Sequence, residues 1–292
     1  MLAIGSAQFG SNYGIANQNG QVGKKEIGLI LDRAKEFGID TIDTAISYGD
    51  SEKSLGEAGI KNWKVVTKIP EIPSNLGSSD LYMWVDKQIS GSLKRLNVES
   101  LYAVLLHRPD QLNNEKYIDV WNALLIRQKA GDFQKIGYSI YEPSQLDDIF
   151  DNFKPSLIQT PFNLIDQRIK KSGFLEKFHD MNIEVHSRSC FLQGLLLLKK
   201  ESIPTKFKKW DDFWDLYHQW LKRNDISALE ACLRYVGNEK YISKIVVGVD
   251  SFSHIDQIIN ILEKRNDISF IDFNFDEFID VDLINPVKWN AL

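Results

Sequence analysis

Apolar positions follow two alternating periods along the chain. In short stretches such as residues 101–107 and 244–249 they run nearly without interruption, and between such stretches they recur every three or four residues. Continuous runs suit parallel strands buried on both faces, and the longer period marks amphipathic helices. A first strand is predicted over residues 2–8, followed by a Gly- and Asn-rich loop. Ile27, Ile30, Leu31, Ala34 and Phe37 then fall at helical spacing, and Gly38 ends that helix. Strand 39–44, a short helix near 51–59 and strand 63–69 come next, with Pro70 and Pro73 stopping the strand. Leu81, Val85, Ile89, Leu93 and Leu96 mark another helix before strand 101–107. The alternation continues with helix 117–130, strand 133–139, helix 143–150, strand 156–160, helix 170–180 and strand 184–189. A long helical region ending near Val236, strand 244–249 and a helix carrying Ile255, Ile258, Ile259 and Leu262 complete it.

Eight strands alternating with eight helices predict an α/β fold, a (β/α)₈ TIM barrel. It is expected to fill residues 1–292 as a single domain, with the tail 270–292 packing back on the barrel. An open doubly wound sheet is the alternative, but no G-x-G-x-x-G follows the first strand. Composition narrows the function. The 292 residues are 43% hydrophobic and 26% charged, with a net charge of −5 and basic residues scattered rather than clustered. Nucleic acid is therefore not an expected partner. Two cysteines, Cys190 and Cys232, form neither a metal-ligand spacing nor a disulfide framework, which points to a reducing, cytoplasmic compartment. No apolar run is long enough to span a membrane.

The candidate chemistry gathers at strand ends. In T-I-D-T-A-I-S-Y-G-D-S-E (41–52), Asp43 closes the second strand and Tyr48 hangs in the following loop; Lys68 closes the third strand and His107 the fourth. Taken singly, each reads as well as a solvated strand end or a turn residue. In a barrel, however, the C-terminal strand ends open on one face, so the four converge. Their types suggest a division of labour. Tyr48 would give a proton to a carbonyl oxygen, Lys68 would lower its pKa, Asp43 would hold Lys68, and His107 would orient the carbonyl or help shuttle the proton. No side chain supplies hydride, so reduction needs a cofactor.

The chain resembles the aldo-keto reductase family. The residues that carry the resemblance are G-S-A-Q-F-G (5–10), I-D-T-A-I-S-Y-G-D-S-E (42–52), V-T-K (66–68), L-L-H-R-P-D (105–110), K-I-G-Y-S (135–139) and F-L-Q-G-L-L (191–196). The resemblance implies an NAD(P)H-dependent carbonyl reductase whose tetrad is Asp43, Tyr48, Lys68 and His107, with no metal. It implies further that Ser139 and Gln159 hold the nicotinamide carboxamide. Arg188 would stack on the nicotinamide ring, and Ser189, Phe191 and Gln193 would line the pyrophosphate. Gly248, Asp250, His254 and Gln257 fall where the segment after the eighth strand meets the adenosine end. Members that prefer NADPH carry basic residues there, whereas V-V-G-V-D-S-F-S-H-I-D-Q (246–257) has no Lys or Arg. An aspartate repels a phosphate and accepts from a ribose hydroxyl, so NADP and NAD both remain candidate cofactors. Ile140 stands where the family often has Asn. The chain also begins at its first strand, without the hairpin that plugs the barrel floor in many relatives, so another element is expected to close it.

The resemblance extends to a small-molecule carbonyl substrate, an aldehyde or ketone and plausibly a sugar-derived one, and to a monomer or small homo-oligomer. A regulatory barrel that binds cofactor with little turnover is the alternative, and a Schiff-base enzyme using Lys68 is a third reading. Trp210, Phe213, Trp214, Tyr217, Trp220 and Leu221 form a stripe that reads as core, and the five-lysine stretch 199–209 before it could meet an anionic ligand. Phe270, Phe273, Phe275, Phe278 and Trp289 in the tail are expected to pack.

Overall fold

Eight parallel strands close into a barrel in sequence order, β1 pairing with β8 through Leu2–Ile245 to Gly5–Gly248. The structure is a computed structural model that describes residues 1–17, 19–264, 270, 273 and 280–291. In chain order the elements are β1 (Leu2–Gly5), α1 (Ala7–Gly10), α2 (Lys24–Glu36), β2 (Thr41–Asp43), α3 (Ser51–Ala58), β3 (Lys64–Ile69), α4 (Leu81–Leu96), β4 (Leu101–Leu106), α5 (Ile118–Lys129) and β5 (Phe133–Ser139). They continue with β6 (Leu157–Pro161), α6 (Arg168–Lys171), α7 (Phe174–Asp180), β7 (Glu184–Arg188), α8 (Asp211–Arg223), α9 (Ala228–Gly237), β8 (Lys244–Gly248), α10 (Phe252–Glu263) and α11 (Val281–Ile284). Each predicted strand is present: β5 has the predicted bounds, β6 is shifted by one residue to 157–161, and the others are shorter than expected at one or both ends. Burying both faces of every strand is what made the apolar runs continuous, and Val66, Ala103, Leu105 and Leu157 form their own buried cluster within the sheet.

Two predicted helices differ. The connection between β5 and β6 holds only a 3₁₀ turn, Pro143–Leu146, closed by a capping box between Glu142 and Gln145. Asp147, Asp148, Asp151 and Asn152, all weak helix formers, follow it, and the Asn152 side chain donates to the Asp148 carbonyl at 3.5 Å. Helix 170–180 is broken into α6 and α7 by Gly173, whose φ of 78° only glycine adopts cheaply.

The barrel floor is closed by side chains at the N-terminal strand ends. Asp40 takes Lys64 and Lys244 at 2.7 Å each. Glu184 on β7 accepts from Tyr102 of β4, from Lys135 of β5 and from His186. Tyr102 and Glu184 belong to strands that are not neighbours, so their bond spans the mouth. Lys64 and Lys135 lie over the Tyr102 ring at 5.7 and 5.4 Å.

The aromatic stripe of α8 is buried core. Phe270 stacks on Trp220 at 5.8 Å, and Trp289 packs edge-on to Phe207 at 4.9 Å. Lys206 donates to the Trp289 carbonyl at 2.8 Å, and Lys209 faces Asp282 at 3.6 Å. Phe275 and Phe278 lie outside the described residues.

Candidate active site

Asp43 reaches the C-terminal end of β2 one residue before the chain leaves the sheet, and Lys68 stands beside it on β3. Both are buried, 3% and 1% exposed. The Lys68 ammonium spends its three protons on Asp43 Oδ1 (2.8 Å), Asp43 Oδ2 (2.7 Å) and the Thr44 carbonyl (2.8 Å). Gln159, arriving from β6 across the barrel, donates to Asp43 Oδ1 at 2.6 Å, and Ser139 donates to Gln159 Oε1 at 3.3 Å.

The loop carrying Tyr48 is fixed by backbone contact rather than by its side chains. A Cβ on Gly10 would stand 1.8 Å from the Tyr48 carbonyl, and one on Gly49, whose φ is +56°, would stand 2.3 Å from the Gly10 carbonyl. Two glycines therefore let the first loop and the Tyr48 loop touch. Ser51 locks the junction, donating to the Ser6 carbonyl at 2.8 Å, while Ser6 donates to the Asp43 carbonyl at 2.9 Å. Behind them Glu52 is buried, accepting from Thr67 at 2.6 Å and from Arg95 at 2.7 Å.

His107 follows β4 directly, its amide bonded to the Ile69 carbonyl at 3.2 Å and its Nδ1 3.1 Å from Ser47 Oγ. Its ring meets Tyr48 edge-on at 5.9 Å, and Lys68 Nζ lies 5.0 Å from the Tyr48 ring centre. Burial pulls His107 down to about 3, helped by the charges of Lys68, Arg188 and Arg108. The imidazole is thus neutral at physiological pH. Burial raises the Tyr48 phenol above its ordinary range and Asp43 raises it further, with Arg188 opposing. The expected lowering of Tyr48 by Lys68 is therefore corrected: burial is the larger effect, and the Asp43 carboxylate adds to it. Burial also pulls Lys68 down, opposed by its contact with Asp43.

Above these groups opens a cavity of about 390 Å³. Tyr48, His107, Asp43 and Gln159 line it, together with Arg188, Ser189, Phe191 and Gln193 from the loop after β7 and Gly248, Asp250 and His254 from the end of β8 and the start of α10. Lys68 and Ser139 stand behind this wall rather than in it. Gln257 is not part of the lining, and its amide donates to Ser253 at 3.2 Å. Arg188 lies over the Tyr141 ring at 4.5 Å and donates to the Ile140 carbonyl at 2.9 Å. The loop after β7 turns through left-handed residues, with φ of 61° at Ser189, 48° at Leu192 and 54° at Gln193. None of the lysines of 199–209 lines the cavity; Lys200, Lys206 and Lys209 face Asp215, the Trp289 carbonyl and Asp282.

Several lining residues carried no assignment from the sequence. Gln8 sits inside the quoted G-S-A-Q-F-G stretch, and its buried Oε1 lacks a hydrogen-bond partner among the described residues. Tyr13, Asn17 and Tyr141 come from loops, and Pro286 and Val287 from the tail. Cys190 lines the cavity too; it and Cys232 are free thiols, Cys190 Sγ lying 3.5 Å from the Cys232 carbonyl. Among the described residues no three His, Cys, Asp or Glu side chains form a metal-binding group, and no helix is long and apolar enough to cross a membrane.

Known proteins share the sequence pattern and the fold. The sequence matches the Aldo/keto reductase family over residues 1–273. It is 26% identical to the oxidoreductase sirO of Leptosphaeria maculans over 72% of this chain and 65% of that protein. It is 29% identical to a glyoxal reductase of Bacillus subtilis over 55% and 56% of the two chains. The chain thus spans less than two thirds of the length of either relative. An aldo-keto reductase of Bacillus halodurans in its holo form shares the fold with a TM-score of 0.69, at 16% identity over 90% of this chain and 87% of that one. With the family matched through the last barrel helix and an eight-stranded barrel beneath the match, the chain belongs to the aldo/keto reductase family, whose members are NAD(P)H-dependent oxidoreductases.

Proposed function

We propose that the protein reduces an aldehyde or ketone to the alcohol, with Tyr48 as general acid. The observation that carries this reading is the fully paired Lys68–Asp43 couple directly beneath a phenol that faces the cavity and makes no hydrogen bond among the described residues. A nicotinamide cofactor, when bound, supplies the hydride. The cleft suits such a group: it presents the unpartnered Gln8 acceptor and the turned backbone of Ser189–Gln193. On this reading Gln159, with Ser139 behind it, meets the carboxamide, and Arg188 lies against the nicotinamide. Ser189, Phe191 and Gln193 take the pyrophosphate, and Gly248, Asp250 and His254 the adenosine ribose, with Gln257 one turn further along α10. The absence of Lys and Arg from 246–257 favours NAD at least as much as NADP.

The protein's own groups handle the proton and the carbonyl. A phenol held above its ordinary pKa stays protonated at rest, so it is ready to donate as charge develops on the carbonyl oxygen. Lys68 then offsets the phenolate that is left. Neutral His107 has Nδ1 3.1 Å from Ser47 Oγ; in the tautomer whose Nδ1 accepts from that hydroxyl, Nε2 carries the proton and donates a hydrogen bond to the same oxygen. A Schiff base on Lys68 is disfavoured, because all three ammonium protons are hydrogen-bonded. Tyr48→Phe tests the assignment. Turnover of small aldehydes should fall by roughly 10²–10⁴ with cofactor binding retained; a variant that turns over normally removes Tyr48 from the reaction.

A further inference from the structure

We propose that Glu26, which lies outside the cavity wall, acts with Asp250 to exclude a 2′-phosphate from the cleft and so makes the enzyme select NADH. The inference rests on the nicotinamide reading given above and extends it to a residue of α2 that the sequence motifs left without a role.

With the nicotinamide beside Tyr48 and His107, the reading given above sets the adenosine ribose against Gly248, Asp250 and His254, lining residues that lead into α10. The first turn of a twelve-residue helix attracts anions through its free N–H groups and its dipole. In this chain that attraction is already taken up. Glu26 Oε1 accepts from Phe252 N at 2.5 Å, and Ser251 Oγ accepts from His254 N at 3.3 Å. Asp250 Oδ1 lies 2.7 Å from His254 Nδ1. Two carboxylates thus occupy the helix terminus that a 2′-phosphate would use.

The placement of Glu26 is built in. Arg33, seven residues further along α2, donates to Asp256 of α10 at 2.9 Å and holds the two helices together. The nearby basic side chains are already paired among the described residues: Lys24 turns to Glu57 at 3.3 Å, Arg33 to Asp256 at 2.9 Å and His254 to Asp250 at 2.7 Å. A 2′-phosphate dianion brought here meets like charge, whereas a ribose 2′-hydroxyl finds acceptors.

Dissociation constants test this on the full chain. NADH and NADPH are titrated by quenching of tryptophan fluorescence, and 5′-AMP and 2′,5′-ADP serve as probes without the nicotinamide. NADH should bind about tenfold or more tighter than NADPH, and 5′-AMP should likewise exceed 2′,5′-ADP. Glu26→Gln keeps an oxygen for the Phe252 amide and removes only the charge. It should narrow both ratios by about tenfold, and Glu26→Gln with Asp250→Asn should narrow them further. Tighter NADPH binding by the wild-type protein overturns the proposal, as do ratios unmoved in variants that melt normally. In both cases the dinucleotide reading survives. If none of the four compounds binds, that reading falls and this one with it.

Discussion

The same four kinds of side chain meet at both ends of the barrel. At the C-terminal strand ends Lys68, Asp43, Tyr48 and His107 gather, and at the N-terminal ends Lys135, Glu184, Tyr102 and His186. Their pairing separates them. On the floor Glu184 collects all three partners, so the Tyr102 hydroxyl is committed to a carboxylate. Burial alone would push Glu184 up, but the hydrogen bonds from His186, Lys135 and Tyr102 outweigh it and hold the carboxyl well below its usual range. At the top, Asp43 is consumed by Lys68 and Gln159, and the Tyr48 hydroxyl is left facing the cavity. The floor cluster spends its donors on one carboxylate and leaves only an acceptor-side atom, the buried His186 Nδ1, without a partner among the described residues, whereas a cluster with a donor in reserve has something to offer a substrate.

The largest expected contrast sets Tyr48→Phe against Tyr102→Phe. The first should abolish most turnover, as argued above. The second should leave kcat within about twofold while lowering stability by about 1–3 kcal/mol, because Glu184 loses a buried donor. Urea melts and steady-state rates on both variants check the pair, and a matching loss of rate in Tyr102→Phe would erase the distinction between the two ends.

Next in size is the lysine. Lys68→Met leaves Asp43 buried with Gln159 as its remaining donor, and removing one partner of a buried pair costs about 3–5 kcal/mol. Lys135→Met should cost under about 2 kcal/mol, because its side chain is 29% exposed and Glu184 keeps Tyr102 and His186. Equal losses in the two denaturant midpoints would show that the floor pair is buried as deeply in its effect as the Lys68–Asp43 pair.

How far the sequence carried follows from the same contrast. Strands and most helices could be read because burial on two faces imposes an apolar pattern that survives in one chain. Asp43, Lys68 and His107 could be placed because each closes such a run. Tyr13, Tyr141, Pro286 and Val287 could not, because no periodicity sets where loops and a tail come to rest. Glu52 was in plain view in the motif, yet nothing local shows that Thr67 and Arg95 would bury it. The direction of the Tyr48 shift was misread for a related reason. Residue types name possible partners, but how deeply the phenol is buried and how near Asp43 comes to it depend on the folded barrel.

The smallest effect separates the ends by pH. His107 is held at about 3, below the 6.5 of an exposed histidine, so between those values the unfolded chain binds more protons than the folded one. Stability therefore falls as pH drops from 6.5 toward 3, and His107→Gln should flatten that part of the curve. The change is modest because the imidazole is only half-buried. Glu184, whose folded pKa is depressed, contributes stability above the ordinary carboxylate range that is lost as the pH falls below it. Glu184→Gln should thus act only at lower pH. Because His107 stays neutral through the physiological range, kcat/KM for aldehyde reduction should show no acid limb between pH 6 and 7 (roughly the window of a free imidazole). A limb in that window that vanishes in His107→Gln would mean that an imidazolium forms at the site, and the neutral hydrogen-bond donor would have to be given up.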